Sequence, residues 1–173
     1  MTPLETERLL LREFTEDDVE AYFQLGSDPF VTRYTRDPGL KSLDEALTVL
    51  RERPLADYRK HGYGRWAVVL KSHNQVIGFA GLKYLDDLHV VDIGYRLLPA
   101  YWHQGLATES AAPAIQYGFE TLHLETIIGL VEPANVASVR VLEKLGLKFV
   151  RMIDHPHGMV AKYTIRAEQY HET

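Results

Sequence analysis

Apolar residues in the middle of the chain come in short runs bounded by polar turn residues, a pattern typical of strands. Three such runs follow one another, at Arg65–Leu70, 76–84 and Val90–Leu97, separated by turns at 72–75 and 86–87. Tight turns join antiparallel neighbours, so these runs predict an antiparallel meander. Four further runs bring the prediction to about seven strands, and they lie at 9–14, Thr126–Val131, 148–153 and 159–166.

Two helices are predicted before the meander. Thr15 is an N-cap candidate, since the three acidic residues after it suit a first helical turn, and this helix ends at Gly26. Ser42 and Glu45 form a capping box ahead of apolar residues at helical spacing. Pro54 ends or bends this second helix, because proline lacks the backbone N–H that a helix interior needs.

Two further helices are interleaved with the later strands. One follows Gly105 and contains Pro113, which removes the hydrogen bond to Glu109 and is expected to bend the axis locally. The other covers about 135–145. Strands joined first by turns and later by helices predict one mixed α/β domain over residues 1–173.

Composition restricts the kinds of partner. The chain has 173 residues, of which 46% are hydrophobic and 25% charged, and its net charge of −5 provides no basic surface for nucleic acid. It contains no cysteine, which excludes disulfides, thiolate metal sites and a cysteine nucleophile. The N-terminal segment lacks the pattern of a secretory signal, and no apolar run approaches membrane-spanning length. We therefore expect a cytoplasmic protein that binds neither nucleic acid nor membranes.

Several short motifs fail on their context. Residues 62–67 fit G-x-G-x-x-A, but they precede a strand, whereas a dinucleotide fingerprint follows a strand and opens a helix. The sequence contains neither a P-loop nor the G-x-S-x-G elbow of a hydrolase. The histidines of the segment 154–157 lack zinc-like spacing, so we predict a solvated loop there and no metal site.

The segment 97–120 combines a glycine with a run of small side chains. Gly105 is followed by Ala107, Thr108 and Ser110 at the start of a predicted long helix. A helix start exposes unpaired N–H groups and the positive end of the helix dipole, so small residues there let an anion approach the backbone. Tight packing of the helix on the sheet would favour the same residues. The segment alone leaves both interpretations open.

Four blocks of sequence stand in the order and at the spacing of one known family. The first two are LETERLLLREFTEDD and SDPFVTRYT, and the later two are DIGYRLLPAYWHQGLATES and NVASVRVLEKLGLKF. Together they resemble the GNAT family of N-acetyltransferases, and within it the ribosomal-protein alanine acetyltransferase-like branch. The resemblance spans nearly the whole chain. It implies a single-domain GNAT fold, with a central, mixed, mostly antiparallel twisted sheet and helices on both faces.

The resemblance also implies acetyl-CoA as co-substrate. The family signature Arg/Gln-x-x-Gly-x-Gly/Ala maps onto 102–107, with Trp102 at its first position, a departure that this branch commonly shows. The strand before it is expected to carry a bulge near Gly94 and to splay from its neighbour, which frees backbone N–H groups at Tyr95 and Leu97 for the pantetheine arm and the thioester carbonyl. The residues expected at the pyrophosphate are His103, Gln104, Gly105, Leu106, Ala107 and Thr108.

The late helix supplies the candidates for proton transfer. Asn135 begins it at the family position that meets the pantetheine, and asparagine is also an ordinary N-cap. Many relatives carry a tyrosine seven residues later as general acid, but this chain has Leu142. Ser138 is therefore the candidate donor to the departing thiolate, or it only caps or packs. Asp92 and Glu132 are the acids nearest the expected reaction centre, as bases or as ordinary carboxylates.

The implied reaction is direct transfer of an acetyl group to a primary amine without an acyl-enzyme. A protein N-terminal α-amine is favoured, since its reference pKa of about 7.7–8.0, against about 10.4 for lysine, leaves a useful neutral fraction near pH 7. A small-molecule amine is the other acceptor class. The contrasting hypothesis is a catalytically silent module that senses acyl-CoA or binds another protein. We expect a monomer or a homodimer.

Overall fold

A computed structural model describes residues 2–35, 37–156 and 158–171. Within these residues eight strands form one sheet in the order β1-β2-β3-β4-β5-β6-β8-β7. All neighbouring strands are antiparallel except β5 and β6, which are parallel. The predicted mixed, mostly antiparallel sheet is thus confirmed, with eight strands instead of about seven. The strands are β1 (Leu4–Glu5), β2 (Leu9–Arg12), β3 (Arg65–Leu70), β4 (Gln75–Leu85), β5 (Val90–Leu97), β6 (Thr126–Val131), β7 (Lys148–His155) and β8 (Gly158–Arg166).

Helices cover both faces of the sheet, as predicted. Neighbouring residues of β3 point to opposite faces, so Ala67 packs with Leu50 of α3 whereas Val68 lies in the cluster that includes Ile115 of α5. The main core therefore lies between the sheet and α5. The helices of the described residues are α1 (Val19–Ser27), α2 (Pro29–Thr32), α3 (Leu43–Glu52), α4 (Pro54–His61), α5 (Leu106–Glu120), α6 (Val136–Lys144) and α7 (Ala167–His171).

One predicted helix boundary is wrong for an identifiable reason. The first helix includes Gly26 and ends at Ser27, because Leu40 folds over Gly26 and donates its N–H to the Gly26 carbonyl at 2.9 Å. A Cβ at Gly26 would lie 2.5 Å from the Leu40 side chain, so the glycine serves packing and does not stop the helix. The prediction at Pro54 is confirmed, because α3 ends at Glu52 and Pro54 begins the separate helix α4, where its missing N–H leaves no helical bond unmade.

Asp154 and His155 lie in a strand and not in the predicted loop. Asp154 and His155 end β7, and they pair with Met159 and Gly158 of β8. The prediction of a loop at His157 lies outside the described residues. None of the described helices is long and apolar enough to cross a membrane.

Candidate active site

β5 and β6 separate after two residue pairs, Val91 with Ile127 and Asp92 with Ile128. Beyond that point β5 stays paired with β4 and β6 stays paired with β8. The sheet therefore opens between residues 93–97 of β5 and 129–131 of β6, and we call this opening the fork. The predicted splay of the strand Val90–Leu97 from its neighbour is confirmed.

The backbone of β5 points alternately to β4 and to the fork. Leu98 donates its N–H to the carbonyl of Ile77 at 2.9 Å, and alternate residues before it face β4 in the same way. The backbone groups of Tyr95 and Leu97 therefore point into the fork. The indole N–H of Trp102 donates to the Leu97 carbonyl at 2.7 Å, which ties the following turn to the end of the strand.

The bulge predicted near Gly94 is absent. Pairing between β4 and β5 continues in register through Gly94 and its partner Gly81. The Arg65 guanidinium lies against Gly94, because a Cβ at Gly94 would lie 2.4 Å from it. Gly94 thus makes room for a buried cation, and the free backbone groups arise because β5 and β6 diverge.

Asp92 sits where the two strands part, and its carboxylate contacts both sides. It pairs with the Arg65 guanidinium at 2.5 Å and accepts a hydrogen bond from the backbone N–H of Leu130 in β6 at 3.3 Å. Arg65 also donates to the carbonyls of Gly81 and Asp92. Burial raises the pKa of Asp92, and the neighbouring Arg65 opposes this shift.

Tyr95 and Ser138 meet across the fork. The Tyr95 hydroxyl donates to the Ser138 carbonyl at 2.8 Å and lies 3.0 Å from the Ser138 hydroxyl. Burial raises the pKa of Tyr95, so it is a neutral phenol near pH 7. Sequence reasoning missed this side-chain contact, since no local pattern connects residues 43 positions apart.

The start of α6 is held by Asn135. Its side-chain oxygen accepts a hydrogen bond from the Ser138 N–H at 3.3 Å, as an N-cap does. Leu142 is buried on the same helix, and a Cβ at Gly129 would lie 2.6 Å from its side chain. The position where many relatives place an acid is therefore part of the core here, and Ser138 is the nearby hydroxyl.

A cavity of about 390 Å³ opens beside the fork. It brings together five of the residues selected from the sequence, which are Asp92, Tyr95, Glu132, Asn135 and Ser138. Its other walls come from α1, α4, the segment after α2 and strands of the sheet, and they carry titratable residues that were not predicted. These include Asp37, Arg53, Asp57, Arg65, Lys83, Arg96 and His155.

The other predicted residues form the turn into α5 and do not line this cavity. Gly105 is the N-cap of α5 with φ +77°, His103 has φ +60°, and no side chain caps this helix. Gln104 donates to the Ala100 carbonyl at 3.0 Å. The Leu106 side chain is buried, so only its backbone faces outward, and it is followed by the half-buried Ala107 and Thr108.

Arg8 was not selected from the sequence, yet it lies beside this turn. Its guanidinium is 3.7 Å from the position of a Cβ at Gly105, and it pairs with Glu109 of α5 at 2.6 Å. It therefore brings a positive charge to a turn whose signature has lost its first Arg or Gln. No group of three or more acidic or histidine side chains in the described part of the chain could hold a metal ion.

Comparisons with known proteins agree with this geometry. The model of the acetyltransferase (GNAT) domain family matches residues 8–148. The chain is 34% identical over 146 residues to the uncharacterized N-acetyltransferase YoaA of Bacillus subtilis (strain 168), covering 84% of this chain and 82% of that protein.

Solved structures extend the likeness to the fold. An acetyltransferase of the GNAT family from Bacillus anthracis superposes with a TM-score of 0.82 at 27% identity, covering 96% of this chain and 99% of that one. The spermidine N-acetyltransferase of Vibrio cholerae, in complex with CoA and spermine, shares the fold with a TM-score of 0.79 at 20% identity, covering 95% and 99%. The family match spans both the fork and the start of α5.

Proposed function

This chain belongs to the acetyltransferase (GNAT) family and is an acetyl-CoA-dependent N-acetyltransferase, and we propose that the acetyl group passes directly to a primary amine at the fork. The observation that carries this proposal is the divergence of β5 and β6 next to a 390 Å³ cavity. The fork offers unpaired backbone groups for a thioester, and the cavity offers room for an amine.

The cofactor is proposed to lie along the fork with its pyrophosphate at the start of α5. Unpaired N–H groups at a helix N-terminus attract phosphate, and the backbone of 103–108 supplies them. The N–H groups of Tyr95 and Leu97 then face the pantetheine arm and the thioester carbonyl. They stabilise the oxyanion that forms when the amine attacks.

Ser138 is proposed as the donor of a proton to the departing thiolate, and its hydroxyl regains a proton from solvent water. Tyr95 holds Ser138, since the phenol contacts both its carbonyl and its hydroxyl. Asp92 is engaged by Arg65 and Leu130, so its carboxylate supports the fork. Glu132 lines the cavity and is the acid placed to receive the amine proton, directly or through water.

A protein N-terminal α-amine is the favoured acceptor, because its lower pKa leaves more of it neutral than a lysine at pH 7. The resemblance to the ribosomal-protein alanine acetyltransferase-like branch supports this choice, and small-molecule amines are the second acceptor class. No observation favours a silent module. One N-acetyltransferase domain over 1–173 is part of the proposal, while the cytoplasmic location and the monomer or homodimer state stay predictions.

The test is release of free CoA from acetyl-CoA with a panel of N-terminal peptides, polyamines, amino acids and aminoglycosides. A thiol reagent reports CoA without background from the protein, because the chain contains no cysteine. We expect release that depends on one class of amine. Tight binding of acetyl-CoA without amine-dependent release over the whole panel would instead support the silent module.

A further inference from the structure

Two ion pairs account for four of the charged residues around the cavity. Arg65 pairs with Asp92 at 2.5 Å, and Arg96 approaches Asp37 at 3.8 Å while its guanidinium lies 5.3 Å from the ring centroid of Phe79. These pairs neutralise one another, so they place little net charge on a bound amine. What distinguishes acceptors is the charge that remains unpaired.

On the sheet side of the cavity the unpaired charge is Lys83, while Arg53 and Asp57 line the helix side. Lys83 is half-buried in β4 and lines the cavity, and no carboxylate of the described residues lies within ion-pair distance of it. Arg53, Asp57, Arg65 and Asp92 surround it at longer range, and burial lowers its pKa. A half-buried ammonium without a partner is unfavourable, and an anion in the cavity would supply that partner.

The position of Lys83 relates it to the reaction centre. Its strand partner is Asp92, the residue at which the fork begins. Neighbouring strands are about 5 Å apart, and a lysine side chain spans a similar length. The Lys83 ammonium is thus within roughly 5–10 Å of an amine that reaches the fork.

From this arrangement we infer that the acceptor carries a carboxylate roughly 5–10 Å from its reactive amine, and that Lys83 binds this carboxylate. The inference deepens the proposed function and rests on it. Two sources fit the chemistry, a small ω-amino acid or a peptide whose second residue is acidic. Polyamines, which carry only positive charge, do not fit.

Matched acceptors test the inference. One pair is the peptide amide Ala-Glu against Ala-Gln, and the other is 4-aminobutyrate against its carboxamide, so each arm represents one source. We expect kcat/KM to favour the acidic member of at least one pair by tenfold or more. Lys83→Met should reduce that preference to less than threefold, because methionine keeps the apolar stem and removes the charge. Lys83→Arg should retain it.

Lys60→Met is the matched control, since Lys60 is an exposed lysine of α4 that pairs with Asp86 at 3.3 Å outside the cavity. It should leave the preference intact. Equal rates for acid and amide, or a preference that survives Lys83→Met, would overturn the inference while leaving acetyl transfer established. If no amine is acetylated, calorimetric titration of both members of each pair into the CoA-bound protein still measures the preference for the acidic member. The absence of turnover then counts against the proposed function alone.

Discussion

At the scale of single residues, the carboxylate of Asp92 determines how the fork is held. Asp92 lies on β5, and its carboxylate pairs with the Arg65 guanidinium from β3. It also accepts a hydrogen bond from the Leu130 N–H of β6, so it links β5 to β6 where their backbone pairing ends. Gly94 gives the Arg65 side chain its path to this carboxylate, because a Cβ there would overlap the guanidinium. A charged residue at this point is therefore structural, and the amine must find its base elsewhere.

Asp92→Asn tests whether burial or the ion pair with Arg65 dominates at this carboxylate, because asparagine keeps the size of the side chain and removes its ionisation. Since folding raises the pKa of Asp92, the native state favours its protonated form. Its contribution therefore declines as the pH rises through the unfolded pKa of about 3.9 toward the folded value. Urea unfolding at several pH values should show the wild-type advantage over Asp92→Asn shrinking above about pH 4. An advantage that grows instead would mean that the ion pair dominates over burial.

Ser138→Ala should lower kcat by roughly ten- to a hundredfold with little change in the KM for acetyl-CoA, since the lost hydrogen bond belongs to the transition state. Tyr95→Phe removes the phenol that positions this hydroxyl, so it should lower kcat as well. The double variant should lose no more than the larger single effect, because both act on one proton. Steady-state kinetics with a good acceptor measures all three, and a parental kcat in Ser138→Ala would make Ser138 a packing residue and water the donor.

Residues were predictable where a local signal exists. Asn135 is a residue type that favours N-caps, and it is the N-cap of α6. Gly105 precedes a run of small residues, and it is the N-cap of α5. The side-chain contacts of Tyr95 and Arg8 and the place of Lys83 in the cavity could not be predicted, because each depends on how distant segments meet. The bulge placed at Gly94 was wrong for the same reason, since the glycine accommodates a side chain from another strand.

At the scale of elements, the long strands and helices followed from their patterns, and the short ones did not. β5 and β6 were predicted with their observed bounds, because bounded apolar runs of six to eight residues are distinctive. β1 has two residues and α2 has four, too few for any period to be visible. The parallel pairing of β5 with β6 follows from the α5 crossover, whereas its restriction to two residue pairs has no local signal.

Helix α5 contains a proline, Pro113, in its interior. It continues from Leu106 to Glu120 across Pro113, so the carbonyl of Glu109 lacks its usual helical donor. Pro113→Ala restores that donor and should raise the free energy of unfolding by about 1–3 kcal/mol in urea melts. The affinity for acetyl-CoA should stay the same, since the start of the helix is two turns away. An unchanged or lowered stability would show that the surrounding fold has adapted to the proline.

At the scale of the whole molecule, the sheet consists of two arms joined weakly along their length. One arm holds β1 to β5 and the other holds β6, β8 and β7, and among the described residues two parallel residue pairs connect their backbones. The contact of Tyr95 with Ser138 and the Asp92 carboxylate add to this connection. A ligand that fills the fork touches both arms, so binding and global stability are coupled.

Acetyl-CoA at one hundred times its Kd should therefore stabilise the protein by about 2.7 kcal/mol, a rise in Tm of roughly 5–11 °C for a chain of this size. Gly105→Glu should weaken binding at least tenfold, about 1.4 kcal/mol, because it places negative charge at the proposed pyrophosphate site. Gly105→Ala is the matched control, since both substitutions strain the φ of +77° and only one adds charge. The space beside Gly105 is open, with the Arg8 guanidinium 3.7 Å away, so both variants should fold. Thermal melts with and without acetyl-CoA measure the effect. An equal rise in Tm for wild type and Gly105→Glu would contradict the proposal that the pyrophosphate binds at this turn.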